Sequence, residues 1–343
     1  MKATFSHASA DAPASVLVIA EIGVNHDGSV DKALSLINSA SAAGADAVKF
    51  QYFHADRLLS AEAVLANYQR GERDPRSMLR RLELGLDELL DCREEAEVEG
   101  LGFIVTPFSV EDARELAELK VDAVKIASPD AVNLPLLEAA AELGRPMFIS
   151  TGTCHPEELE PAAGLLRGHA PGGCLMQCVS CYPTPDPKAA LGGVAALRER
   201  FELPVGYSDH TAEVVTGALA VAAGACVLEK HFTYNRGATG PDHAASLDGV
   251  LFTHYVDLAR KAAQMVGPLR KSVLDVEADV HKVSRQSLCA ARDLPVGHPL
   301  APGDLVIKRP GLGIPAARMS EVMGRRLARA VPADHLIRES DLA

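Results

Sequence analysis

The chain has 343 residues, 48% apolar and 23% charged, with a formal net charge of −12; this composition excludes a disordered or fibrous protein, and the length calls for more than one average domain. The acidic balance repels phosphate backbones and anionic lipid, so no nucleic-acid partner is expected, and an anionic substrate needs a local cluster of cations. The first fifteen residues carry no apolar leader, the stretch Val214–Leu228 is too short for a membrane span, and seven cysteines are an odd count for a disulfide framework. A cytoplasmic protein with reduced thiols and no membrane contact is expected.

Eight short apolar runs follow in chain order, each punctuated by Gly or Pro and each followed by a helical pattern. They are VLVIAEIG from Val16, AVKFQY from Ala47, GFIVTPF from Gly102, AVKIAS from Ala123, PMFIST from Pro146, CLMQCVS from Cys174, PVGYSD from Pro204 and CVLEKHFT from Cys226. Eight strand-helix units in roughly 250 residues predict an α/β protein with a (β/α)8 TIM barrel, here over residues 1–267. A doubly wound open sheet is the competing arrangement. The barrel is preferred because polar residues collect at the carboxyl end of nearly every run, where a ring of strand ends converges on one site. Residues 268–284 are charged and lose the alternation, as a linker does. Residues 285–343, with the runs SLCAARD, DLVIKRP and LARAVPA, read as a small β-rich domain too short to carry catalysis alone.

Several strand ends carry chemistry. His210 in GYSDH and His231 in EKHF could hold a divalent ion, or each could satisfy a core hydrogen bond. Lys49 in AVKFQ and Lys125 in AVKIAS lie among apolar residues, where an ammonium needs an anionic partner. With Ser128, Ser150 and Ser208 on neighbouring ends they make a phosphate or carboxylate pocket without any glycine-rich nucleotide loop. Glu21 is a candidate acid or base, or an ion-pair partner of those lysines. Asp242 and His243 in GPDH could bind a sugar hydroxyl or cap a helix. Cys174, Cys178 and Cys181 have the spacing of a radical-type iron–sulfur triad. On a strand, however, Cys174 and Cys178 share a face and Cys181 faces away, so buried thiols are the default.

The motifs IAEIGVNHDG, AVKFQ, TPF, VKIAS, STG, YPTP, GYSDHT, EKHFT, GPDH and KRPGLGIP, in this order, resemble those of the sialic acid synthase family over nearly the whole chain from about Val16. The resemblance implies a TIM barrel followed by an antifreeze-like (SAF, β-clip) domain in a domain-swapped homodimer. It also implies condensation of phosphoenolpyruvate with an aldose, such as N-acetylmannosamine or a diacetamido hexose, to a 2-keto sugar acid. It places phosphoenolpyruvate on Lys49, Thr106, Lys125, Ser128, Ser150, Ser180 and Ser208, and Mn2+ or Mg2+ on His210 and His231. Glu21 matches the catalytic carboxylate, Arg309 the arginine that the SAF domain inserts into the partner's site, and Gln51, Tyr182 and Asp242 the surroundings of the sugar. The sequence departs from the family at Ser128-Pro129-Asp130, where Ser-Gly-Glu is usual. A non-catalytic sugar-acid sensor on the same scaffold and a radical iron–sulfur enzyme are the rival readings.

Overall fold

The computed structural model describes residues 15–64, 74–267 and 271–343; most of the opening segment and the first three residues of the expected linker lie outside them. The strands β1 (Leu17–Gly23), β2 (Ala47–Tyr52), β3 (Gly102–Pro107), β4 (Ala123–Ile126), β5 (Met147–Ser150), β6 (Gly173–Cys178), β7 (Val205–Asp209) and β8 (Val227–His231) pair in parallel in chain order. β8 then pairs with β1, in the register Glu21↔His231. The ring is therefore closed, and the open-sheet alternative is excluded.

Side chains on a strand alternate between two faces, and here the alternation produces three zones. Ile19, Ala47, Ile104, Ala123, Phe148 and Cys174 point inward and plug the amino-terminal end of the barrel. The next residues, Ala20, Val48, Val105, Val124, Ile149 and Leu175, face the helices and join the core between sheet and helix layer. On the first five strands the residue after that faces the interior again, and it is Glu21, Lys49, Thr106, Lys125 or Ser150, all buried. Helix starts are fixed locally: Ser29, Ser109 and Asp248 each accept a first-turn backbone N–H, at 3.4, 3.0 and 3.1 Å. Gly173 opens β6 with φ +150°, and a Cβ there would lie 2.0 Å from the Met147 carbonyl oxygen, so only glycine allows β6 to pair this closely with β5.

The chain divides into two compact units, Met1–Leu269 and Arg270–Ala343. In the second, the segment expected as a linker carries a short helix, Ala278–Ser284, ahead of the antiparallel pair β9 (Ser287–Ala290) and β10 (Leu305–Lys308). LARAVPA forms no strand and contributes single bridges, Leu327 to Leu342 and Val331 to Leu294. Leu288, Leu294, Ile314, Val322 and Ile337 make this unit's own core. Among the described residues no helix is long and apolar enough to cross a membrane.

Asp304, buried in the second unit, accepts hydrogen bonds from Arg292 Nη2 at 2.6 Å, His298 Nε2 at 2.7 Å and the Ala301 amide at 3.0 Å. Led by the His298 bond, these hold its carboxyl down at about 2, against an ordinary 3.8. A depressed carboxyl stabilises the fold above its unfolded value and loses that stabilisation as pH falls through the folded one. Asp304→Asn is expected to destabilise the second unit by about 2 kcal/mol near neutral pH. In thermal denaturation the gap between wild type and variant should close as pH drops from 3.8 to about 2; a gap independent of pH would disprove the assignment.

Candidate active site

The carboxyl ends of the strands surround a cavity of about 280 Å3. Its floor is a set of four buried charges. Lys49 Nζ lies 2.7 Å from Glu21 Oε2, 4.0 Å from Glu229 Oε2 and 3.0 Å from Thr106 Oγ1. Lys125 Nζ donates to Ser150 Oγ at 2.7 Å and lies 3.6 Å from Glu229 Oε2. Ser208 Oγ donates to Glu229 Oε1 at 3.0 Å, and Gln51 Nε2 to Glu21 Oε1 at 2.9 Å.

The four groups settle unequally. Burial alone would lower Lys49, but Glu21 and Glu229 more than offset it and hold the ammonium above its ordinary value. For Lys125 burial prevails over Glu229, with repulsion from Lys49 added, and its pKa is depressed. Glu21 is raised by burial and by Glu229, against the pull of Lys49. Glu229 is lowered, because Lys125, Lys49 and His210 together outweigh its burial. The floor therefore holds two ammonium groups beside hydroxyls, and an incoming anion would meet donors that are already desolvated.

Above the floor, His210 and His231 face each other with ring centroids 5.2 Å apart, and Tyr182 stacks 4.0 Å from His210. His210 Nδ1 is 2.8 Å from the Val179 carbonyl oxygen; a carbonyl only accepts, so a proton sits on Nδ1, and in the neutral ring Nε2 carries the lone pair that a metal ligand needs. Burial is outweighed here by Cys178 and the Val179 bond, which raise His210 above the ordinary imidazole value. His231 Nδ1 is buried without a hydrogen bond, its neighbour being Asp242 Oδ2 at 3.4 Å. Burial, followed by His210, holds His231 well below the ordinary imidazole value and so neutral. Burial and the Glu21 charge raise Asp242 to about 6. Two imidazoles, of which His231 is held neutral, with a carboxyl beside them form a donor set that suits a divalent cation.

A second donor group stands apart from the cavity. His54, Asp112 and Glu115 offer atoms within 4.8 Å of one another. Arg57 already bridges both carboxylates, at 2.7 Å to Asp112 and 2.9 Å to Glu115, so an ion there would have to displace a guanidinium.

Of the barrel residues singled out in the sequence for substrate or metal, Ser180 and His243 are not on the cavity wall. The Ser180 hydroxyl lies over Gly152, where a Cβ would come within 2.4 Å of it and 2.9 Å of Ser128 Oγ; Gly152 N in turn donates to Ser128 Oγ at 3.0 Å. Pro129 of the departing Ser-Pro-Asp segment lines the cavity, and Asp130 accepts from Asn133 instead. Arg309 is exposed on the second unit just after β10. The three cysteines do not converge. Cys174 sits in the barrel plug, Cys178 lies 3.7 Å from His210 Nδ1, and Cys181 is exposed. The expectation of a buried thiol fails at Cys181 because β6 ends at Cys178 and the chain leaves the sheet. Sequence reasoning missed Glu229, although stepping back two residues from His231 along β8 leads to it.

Residues 36–271 match the NeuB family and residues 285–343 the SAF domain. The N,N'-diacetyllegionaminic acid synthase of Legionella pneumophila is 36% identical over 91% of this chain and 90% of its own. Among solved structures, the sialic acid synthetase of Leptospira borgpetersenii, crystallised with citrate, has a TM-score of 0.70 at 32% identity, covering 78% of this chain and 90% of its own. The putative spore coat polysaccharide biosynthesis protein E of Chromobacterium violaceum has a TM-score of 0.79 at 25% identity, over 96% and 100% of the two chains. On the family match and these identities, the chain belongs to the NeuB, or sialic acid synthase, family and ends in a SAF domain.

Proposed function

We propose that this protein is a synthase that condenses phosphoenolpyruvate with an aldose, yielding a 2-keto sugar acid and inorganic phosphate. The observation that carries this reading is the meeting in one cavity of a hydroxyl-lined floor that holds two buried lysines with a pair of imidazoles beside Asp242. Lys49 and Lys125, with Thr106, Ser128, Ser150 and Ser208, would hold the phosphate and carboxylate of phosphoenolpyruvate. Gln51, Tyr182 and Asp242 would orient the sugar, Asp242 donating or accepting according to its raised pKa. His210 and His231 would hold Mn2+ or Mg2+, which when bound supplies Lewis acidity to the aldehyde oxygen. The C3 carbon of the enol forms a bond to the aldehyde carbon, whose oxygen takes up a proton. Water adds at C2 with loss of a proton to a carboxylate such as Glu21, and the C2–O bond to phosphate breaks.

Incubation with phosphoenolpyruvate, Mn2+ and a panel of aldoses should release phosphate in step with a product whose mass is the sum of aldose, phosphoenolpyruvate and water, less phosphoric acid. No phosphate release with any aldose of the panel would reject the reaction. Lys125→Met should lower kcat/KM for phosphoenolpyruvate by at least about 100-fold, since removing one partner of a buried charge set costs roughly 3–5 kcal/mol; unaltered kinetics would place the anion elsewhere. For the metal, His210→Ala and His231→Ala should each lower Mn2+ affinity at least about tenfold in equilibrium dialysis. Binding equal to wild type in both variants would remove the imidazoles from the metal site.

A further inference from the structure

The cavity is chemically two-sided. Phe53, Met78 and Leu82 form a buried apolar cluster on which Leu58, Leu79 and Phe108 pack, and all six line the same cavity as the lysines and imidazoles. They lie on helices Ala55–Leu58 and Pro75–Arg80 and on the segments that leave β2 and β3. In an eight-stranded ring β3 stands opposite β7, whose end leads into His210. Leu58, Leu79 and Phe108 are only half-buried among the described residues, and each presents apolar surface to the cavity.

The cations of these helices are engaged elsewhere. Arg76 and Arg80 bind Asp56 at 2.8 and 2.7 Å, and Arg57 spans Asp112 and Glu115. No arginine lines the cavity among the described residues, and its two lysines belong to the floor. Among the described residues a phosphate brought against this wall would lose hydration without meeting a cation, whereas a methyl group would gain by leaving water.

We propose that this wall is a subsite for an apolar substituent of the acceptor sugar, an acyl or deoxy methyl, and that it discriminates against a phosphate at the sugar's end remote from the aldehyde. Leu58 and Leu79 set that preference. The assignment rests on the condensation reading and names the class of acceptor.

The test compares N-acetylmannosamine, its 6-deoxy analogue and its 6-phosphate with saturating phosphoenolpyruvate and Mn2+, reading released phosphate and, separately, saturation-transfer NMR from protein to sugar methyl groups. The 6-deoxy sugar should exceed the 6-phosphate in kcat/KM by at least about tenfold. In Leu58→Ser and Leu79→Ser the KM for the 6-deoxy sugar should rise about tenfold while that for phosphoenolpyruvate stays put, and Leu79→Arg should narrow the gap to the 6-phosphate. Preference for the 6-phosphate in wild type, or acceptor KM unmoved in both serine variants of native thermal midpoint, would overturn the subsite. If none of the sugars is condensed, the condensation reading fails, and the NMR arm still decides the subsite: methyl saturation lost in Leu79→Ser upholds it, and no methyl saturation in wild type refutes it.

Discussion

A strand closed into a small barrel has two destinations for a side chain, the interior or the helix layer, and they alternate without exception along regular strand. Everything at the barrel mouth follows from that constraint. One inward position is spent on the apolar plug, and the next on Glu21, Lys49, Thr106, Lys125 or Ser150. The same count on the last two strands turns Ser208 and Glu229 inward and sends Asp209 and Lys230 to the helix side, where they lie 3.4 Å apart and fully buried. The two imidazoles are thus backed by an ion pair on the reverse face of the strands that carry them.

Charge balance is the second requirement. Two carboxylates and two ammonium groups share the floor, and each is tolerable there only because the others are present. Burial depresses Lys125 and raises Glu21 within this set, and an arriving anion would favour the charged form of Lys125. A protein with a net charge of −12 can in this way offer an anion two buried lysine donors.

Much of this was legible in the sequence, for identifiable reasons. Parallel strands buried on both faces read as apolar runs, so a charged residue inside a run, such as Lys49 or Lys125, marks itself as an interior group. Ring closure was expected from the polar residues gathered at the strand ends and not from the alternation of elements, which an open doubly wound sheet shares; the pairing of β8 with β1 bears it out. The direction of Ser180 was not legible, because β6 ends at Cys178, beyond which strand periodicity no longer predicts direction. The apolar wall was invisible for a similar reason: Leu58 and Leu79 belong to short helices between β2 and β3 whose packing no period announces.

The seam where the ring closes joins the first and last strands across more than two hundred residues. Asn25 donates to the Phe232 carbonyl and to Ser246, both at 2.8 Å. His243, beside Asp242, is tied through one ring nitrogen to Asp27 at 3.0 Å and through the other to Thr233 at 2.7 Å. The loop that presents Asp242 is thereby pinned to the loop that follows Glu21. On the ribosome, a nascent chain can complete its early strands and helices long before this clasp can form, and contacts of such sequence separation are slow to close. The protein therefore cannot acquire its chemistry piecemeal: half a barrel has the lysines without the imidazoles, and the mouth becomes competent only when the last strand finds the first.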